Sequence, residues 1–154
     1  MAASPESYIL RCPQCGAKNR IPADRVNDRP KCGKCQSPLN LDSLLTDQPV
    51  LVTDKNFADE VLSSTLPVLL DCWAEWCAPC HLVGPIVEEL ALEWKGRVKV
   101  GKLNVDENPA TASRFQIRSI PSFLIFDQGR LKDTLVGALP KAQFIQRMSP
   151  YIEP

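Results

Sequence analysis

Residues 68–80 read VLLDCWAEWCAPC. The stretch opens on an apolar run from Val68 to Trp73, interrupted only by Asp71, and reaches Cys77-Ala78-Pro79-Cys80. A run of this kind fits a central strand covered on both faces. Apolar doublets follow at helical spacing, Leu82/Val83, Ile86/Val87 and Leu90/Ala91, before Trp94. They predict an amphipathic helix over 77–95, packed on a sheet and kinked at Pro85. The Cys-x-x-Cys pair therefore sits where a buried strand passes into a helix.

That position decides its chemistry. Unpaired N–H groups and the helix dipole stabilise a thiolate on the first cysteine. A thiolate is the attacking species in disulfide exchange. Cys77 is thus the candidate nucleophile. Cys80, one turn on and expected to be the less exposed, resolves the mixed disulfide. Metal binding by this pair alone would leave two coordination positions unfilled, and the chain has a single histidine, His81.

The flanks continue the alternation. Val50 to Thr53 is a short β-branched run, with Asp54 placed as N-cap of a helix through about Ser63. RVKVGKLNV (97–105) reads as a second buried strand, and Asn108-Pro109 as an N-cap and first helical position. SFLIF (122–126) and LKDTLVG (131–137) flank the turn DQGR (127–130), and PKAQFIQRM (140–148) closes with a helix. The order β-α-β-α-β-α-β-β-α implies an α/β fold, a mixed central sheet flanked by helices.

Residues 1–45 differ in texture from 46–154, and the junction is placed near TDQP (46–49). The first part holds four cysteines and five prolines, with seven basic against four acidic residues, a net of +3. So small a segment with so few large apolar residues needs a staple. Cys12-Pro-Gln-Cys15 and Cys32-Gly-Lys-Cys35, 16 residues apart, have the spacing of a four-thiolate zinc site. Two disulfides, four free thiols or iron in the same tetrahedron are the alternatives. Tyr8 is the only aromatic of this segment, which argues against nucleic-acid binding.

The 154 residues balance 18 Lys+Arg against 18 Asp+Glu. No apolar stretch approaches the ~20 residues of a spanning helix. No signal-like segment is read at the N-terminus, so the expectation is a cytoplasmic protein with no membrane partner. Seven cysteines in a reducing compartment point to metal binding plus catalysis rather than staples. Cys72, outside the three pairs, reads as a small buried hydrophobe.

Taken together, VLLDCWAEWCAPC, FQIRSIPSFLIF, KLNVDENP and VGALPK resemble the thioredoxin family across roughly 50–154. CPQCGAKNRIPADR and KCGKC resemble the ribbon of its second bacterial type, which carries an N-terminal zinc ribbon. The resemblance implies a thioredoxin fold behind a small zinc-ribbon domain. It implies a protein-disulfide reductase, acting on proteins with disulfides and reduced by an NADPH-dependent thioredoxin reductase. One structural Zn²⁺ is expected, and a monomer; there is no GxGxxG loop for a bound flavin or nicotinamide. Asp71 matches the family's buried carboxylate, which exchanges a proton with Cys80, and Lys102 the lysine beside it. Pro121 matches the cis-proline. Backbone at Ile120 is expected to pair with substrate, with Trp76, Gly137 and Ala138 lining the same groove. Pro85 matches the family's helix kink.

Two positions depart from the pattern. Ala78 stands where glycine is commonest, and His81 where lysine or arginine is usual. His81 reads as an exposed helical residue, or as a charge that tunes the disulfide. Two other functions stay open: a disulfide oxidase or isomerase on the same fold, and a zinc-linked redox sensor or partner-binding protein.

Overall fold

The computed structural model describes residues 6–39, 41 and 46–152. The junction set between 45 and 46 borders residues 42–45, which lie outside the described residues. Strands β1 (Ser7–Arg11) and β2 (Lys18–Pro22) form an antiparallel hairpin. A five-stranded sheet comes next, built from β3 (Val50–Leu51), β4 (Val68–Trp73), β5 (Lys99–Asn104), β6 (Ser122–Asp127) and β7 (Arg130–Val136). Its order is β3-β5-β4-β6-β7; β3, β5 and β4 run parallel, and β6 pairs antiparallel with both β4 and β7. Helices α1 (Ala78–Glu93), α2 (Pro109–Arg114) and α3 (Lys141–Met148) and a π-helical turn (Ala58–Leu62) complete the alternation read from the sequence.

β4 lies in the middle, with β5 on one side and β6 on the other, so its side chains must be apolar on both faces. Leu69 joins Phe123, Ile125, Val83, Val87, Leu90 and Phe144 under α1 and α3. Val68, Leu70 and Cys72 join Phe57, Val61, Leu103, Leu124 and Phe126 on the other face. The period-2 alternation of the strand thus splits one apolar run between two cores.

The entry to the first helical segment differs from the expectation. Thr53 and Asn56 brace the turn that leads into it: the Thr53 N–H donates to Asn56 Oδ1 (2.6 Å), and the Asn56 N–H to Thr53 Oγ1 (3.2 Å). Asp54 caps α2 instead, accepting from Ala110 N (3.2 Å), Thr111 N (2.8 Å) and Thr111 Oγ1 (2.6 Å). These bonds, above all that from the Thr111 hydroxyl, hold its carboxyl below the usual carboxylate range. Asn108, expected to cap α2 with its side chain, receives the Asp54 N–H on Oδ1 (2.9 Å). A cap needs only an oxygen at the right place, and sequence distance does not limit where it comes from.

The β6–β7 turn has positive φ at both central residues, Gln128 (54°) and Gly129 (77°), the geometry that matches strand twist in a two-residue hairpin. The four-cysteine segment packs against the rest. Leu66 enters the core of Leu10, Ile21 and Leu39. The Arg11 N–H donates to Thr65 O at 3.0 Å.

Tyr8 rests on Gly96, whose φ of +79° favours glycine and where an added Cβ would come within 2.4 Å of the ring. Gly96→Ala is expected to destabilise by about 1–3 kcal/mol, read as a lower denaturant midpoint. An unchanged midpoint would mean that Tyr8 and the backbone relax at no cost.

Candidate functional site: a redox disulfide and a four-thiol cluster

Cys77 is the N-cap of α1, with extended backbone, and its Sγ accepts the Cys80 N–H at 3.3 Å. Pro79 occupies the first turn, where its missing N–H leaves nothing unsatisfied. Cys77 and Cys80 are joined in a disulfide. Ala74, Trp73, Val105 and Ile120 pack around it. Cys77 is 3% exposed and Cys80 5%, so in the disulfide form Cys80 is not the more covered of the two. The helix start carries Cys77 and Cys80 together, so both sulfurs sit under the same packing.

Asp71 lies two residues before Trp73 on the same face of β4, 1% exposed, opposite Lys102 in the parallel register and Phe123 in the antiparallel one. Its Oδ1 has no hydrogen-bond partner among the described residues. Burial pushes its carboxyl up to about 7, against the pull of the Lys102 ammonium. Lys102 Nζ also lies 4.7 Å from the centre of the Trp73 ring. Cys72 points to the opposite core, and burial with the neighbouring Asp71 carboxyl pushes its thiol up to about 12.

The Ile120–Pro121 peptide is cis. Pro121 O accepts the Gly137 N–H at 2.8 Å, which brings Gly137 (φ 100°) and the exposed Ala138 beside the Ile120 segment. No hydrogen bond reaches the Ile120 backbone from the described residues. Trp76 is 71% exposed, and its Nε1 donates to Asp106 Oδ2 at 2.8 Å. Asp106 escaped the sequence reading; a carboxylate just past a buried strand was the one signal for it. His81 does more than face solvent: Nε2 lies 2.7 Å from Glu75 O, and the ring meets Trp73 edge-on with centroids 6.2 Å apart.

The other two pairs converge. The Sγ atoms of Cys12, Cys15, Cys32 and Cys35 all lie within 4.8 Å of one another. Cys12–Cys35 and Cys15–Cys32 are each 3.6 Å apart. Zn–S bonds of ~2.3 Å in a tetrahedron require sulfurs about 3.8 Å apart, so the four thiols fit zinc. Both knuckles share one pattern. Cys12 N and Cys32 N donate to Ala17 O and Ser37 O, while Gly16 N and Gln36 N return to Cys12 O and Cys32 O. Gly16 and Gln36, at matching places, both have positive φ.

Asn19, also missed, links the knuckles: Oδ1 accepts Gly33 N (2.9 Å) and Nδ2 lies 3.5 Å from Cys32 Sγ. N–H donors at Cys35, Asn19 and Lys34 bring the Cys32 thiol down to about 6, which favours the ligating thiolate.

The profile of the family described as thioredoxin matches residues 48–150. The chain belongs to the thioredoxin family. This thioredoxin is a thiol–disulfide oxidoreductase of mixed α/β fold. A second profile, described as thioredoxin 2, N-terminal, matches residues 11–37, the four-cysteine segment. The thioredoxin of Synechocystis sp. is 50% identical over 101 residues, covering 66% of this chain and 94% of that protein. Rickettsia bellii thioredoxin is 52% identical over 95 residues, 62% of this chain and 90% of that one. Acidithiobacillus ferridurans thioredoxin is 50% identical over 99 residues, 64% of this chain and 92% of that one. No helix among the described residues is long and apolar enough to cross a membrane.

Two expectations arise from burial and charge. An acid raised from 3.8 to about 7 holds its proton more tightly when folded than when unfolded. Asp71 therefore costs nothing below both values, costs progressively more between them, and its full penalty stands above the folded value. Asp71→Asn should stabilise the protein above neutrality by at most about 4 kcal/mol. The advantage should vanish in acid; a pH-independent difference in chemical denaturation would show that the carboxyl is not the cause. In the four-thiol cluster, Cys15 and Cys35 are exposed while Cys12 and Cys32 are buried. Iodoacetamide on the native protein should label Cys35, exposed and with its thiol drawn down by the Ser37 hydroxyl, before the buried Cys12, and equal labelling of both, mapped by mass spectrometry, would contradict this packing.

Proposed function

We propose that this thioredoxin is a protein-disulfide reductase, with Cys77 as nucleophile and Cys80 as resolving residue. The observation that carries the reading is the pair's place at the start of α1, just past the strand that buries the Asp71 carboxyl and pushes it up to about 7. In the dithiol form the Cys77 thiolate attacks one sulfur of a substrate disulfide. A mixed disulfide forms and the first substrate thiolate leaves. Cys80 then gives its proton to the Asp71 carboxylate and attacks Cys77 Sγ, releasing the second substrate thiolate. Two electrons pass to the substrate, and the protein ends as the Cys77–Cys80 disulfide.

Lys102 moderates the carboxyl. The open backbone of Ile120 beside Pro121 takes the substrate as an added strand, with Trp76, Gly137 and Ala138 around it. The disulfide is reduced again by an NADPH-dependent thioredoxin reductase, in a reducing compartment such as the cytoplasm. Cys12, Cys15, Cys32 and Cys35 hold one structural Zn²⁺, whose chemistry is to staple residues 1–45 as a ribbon in front of a thioredoxin domain, 46–154. The chain works as a monomer, without nucleic acid.

Cys80→Ser should accumulate mixed disulfides with substrate proteins, and Cys77→Ser should neither form them nor reduce insulin. Both should keep one zinc per chain. Loss of zinc from Cys77→Ser would mean that the cysteines are wrongly paired between the two sites. A reduction potential near the ~−120 mV of strong oxidants, rather than ~−270 mV, would assign the chain to the oxidases.

A further inference from the structure

Three residues lie between the end of β4 and Cys77: Ala74, Glu75 and Trp76. They turn the chain from a buried strand into α1, and they carry the exposed indole beside the disulfide. A turn this short is fixed by what holds its carbonyls. Ala74 O accepts the Cys77 N–H at 3.2 Å. Glu75 O belongs to an exposed residue and meets His81 Nε2 at 2.7 Å. His81 stands on the first turns of α1, where its own N–H returns to Cys77 O at 3.4 Å. Its ring lies edge-on to Trp73, the last residue of β4. One side chain therefore touches the strand end, the turn and the helix that together enclose the redox pair. Because the acceptor is a carbonyl, Nε2 must carry hydrogen, which both the Nε2–H neutral tautomer and the imidazolium supply.

We infer that His81 is a positioning residue for protein substrates: it braces the Glu75 carbonyl and so sets the path of the turn that presents Trp76. The indole is then held from two sides, through its backbone by His81 and through Nε1 by Asp106. The brace makes no hydrogen bond to either sulfur, and the helix-start bond from the Cys80 N–H to Cys77 Sγ involves neither His81 nor Glu75. What the brace controls is the surface that a folded protein meets, not the reactivity of the thiolate. The inference rests on the disulfide-reductase reading.

The test compares His81→Ala, His81→Gln and the unaltered protein. Gln can place an amide N–H at about the reach of imidazole Nε2. His81→Ala should raise the KM for insulin about three- to tenfold, the range of one net hydrogen bond, with kcat little changed. Reaction of the reduced protein with a small aromatic disulfide should keep its rate. Hydrogen exchange in the peptide spanning Ala74–Cys77 should quicken by a similar factor, and His81→Gln should restore both readouts. An unchanged KM in His81→Ala, an equal loss on the small disulfide, or failure of Gln to restore would each overturn the inference. Failure of the unaltered protein to reduce either disulfide would instead strike the reductase reading.

Discussion

The fold depends on strand β4 being covered on both faces. A strand with α1 and α3 on one side and the π-helical turn with Phe57 and Phe126 on the other is buried from Val68 to Cys72. Any polar group on it is then held out of its preferred ionisation state. Asp71 is that group, and its raised pKa comes from the same packing that gives the domain its stability. The penalty recurs wherever the pH is neutral, so the carboxyl opposes folding at the pH where it can take a proton. In the proposed reductase chemistry, stability and proton transfer compete for one residue.

A second constraint acts at the end of that strand. The chain must leave a buried central strand and enter a helix within three residues, and the helix begins with unsatisfied N–H groups. Placing Cys77 at the cap solves both needs, since its sulfur accepts the Cys80 N–H. The other cysteines receive their N–H donors from knuckle turns instead, as at Gln14 N to Cys12 Sγ and Lys34 N to Cys32 Sγ. One spacing thus serves two chemistries, separated by the path the chain takes next: into a helix in one case, back on itself in the other.

Much of this was legible in the sequence because it rests on periodicity. The doublets from Leu82 to Ala91 and the runs at 68–73 and 97–105 could be read without a partner in view, and Val83, Val87 and Leu90 do lie in the core. The zinc-like spacing was legible for the same reason, being a matter of counting. What was hidden needs two distant residues at once. Asp54 faces Thr111, Trp76 faces Asp106 and Asn19 faces Gly33; in each pair neither residue announces the other. Relative exposure of Cys77 and Cys80 was also out of reach, because a disulfide makes two residues share one environment.

The seating of Tyr8 on Gly96 and of Leu66 among Leu10 and Ile21 has a geometric consequence. Thr65, Leu66, Gly96 and the Gln128 turn all lie where β4 and β5 begin, whereas Cys77 and Ile120 lie where they finish. A six-residue strand spans roughly 20 Å. The molecule is thereby given two poles, and cargo engaged at one leaves the other clear. An anchor fastened to the four-cysteine pole would aim the reactive one outward, like a tool held by its handle.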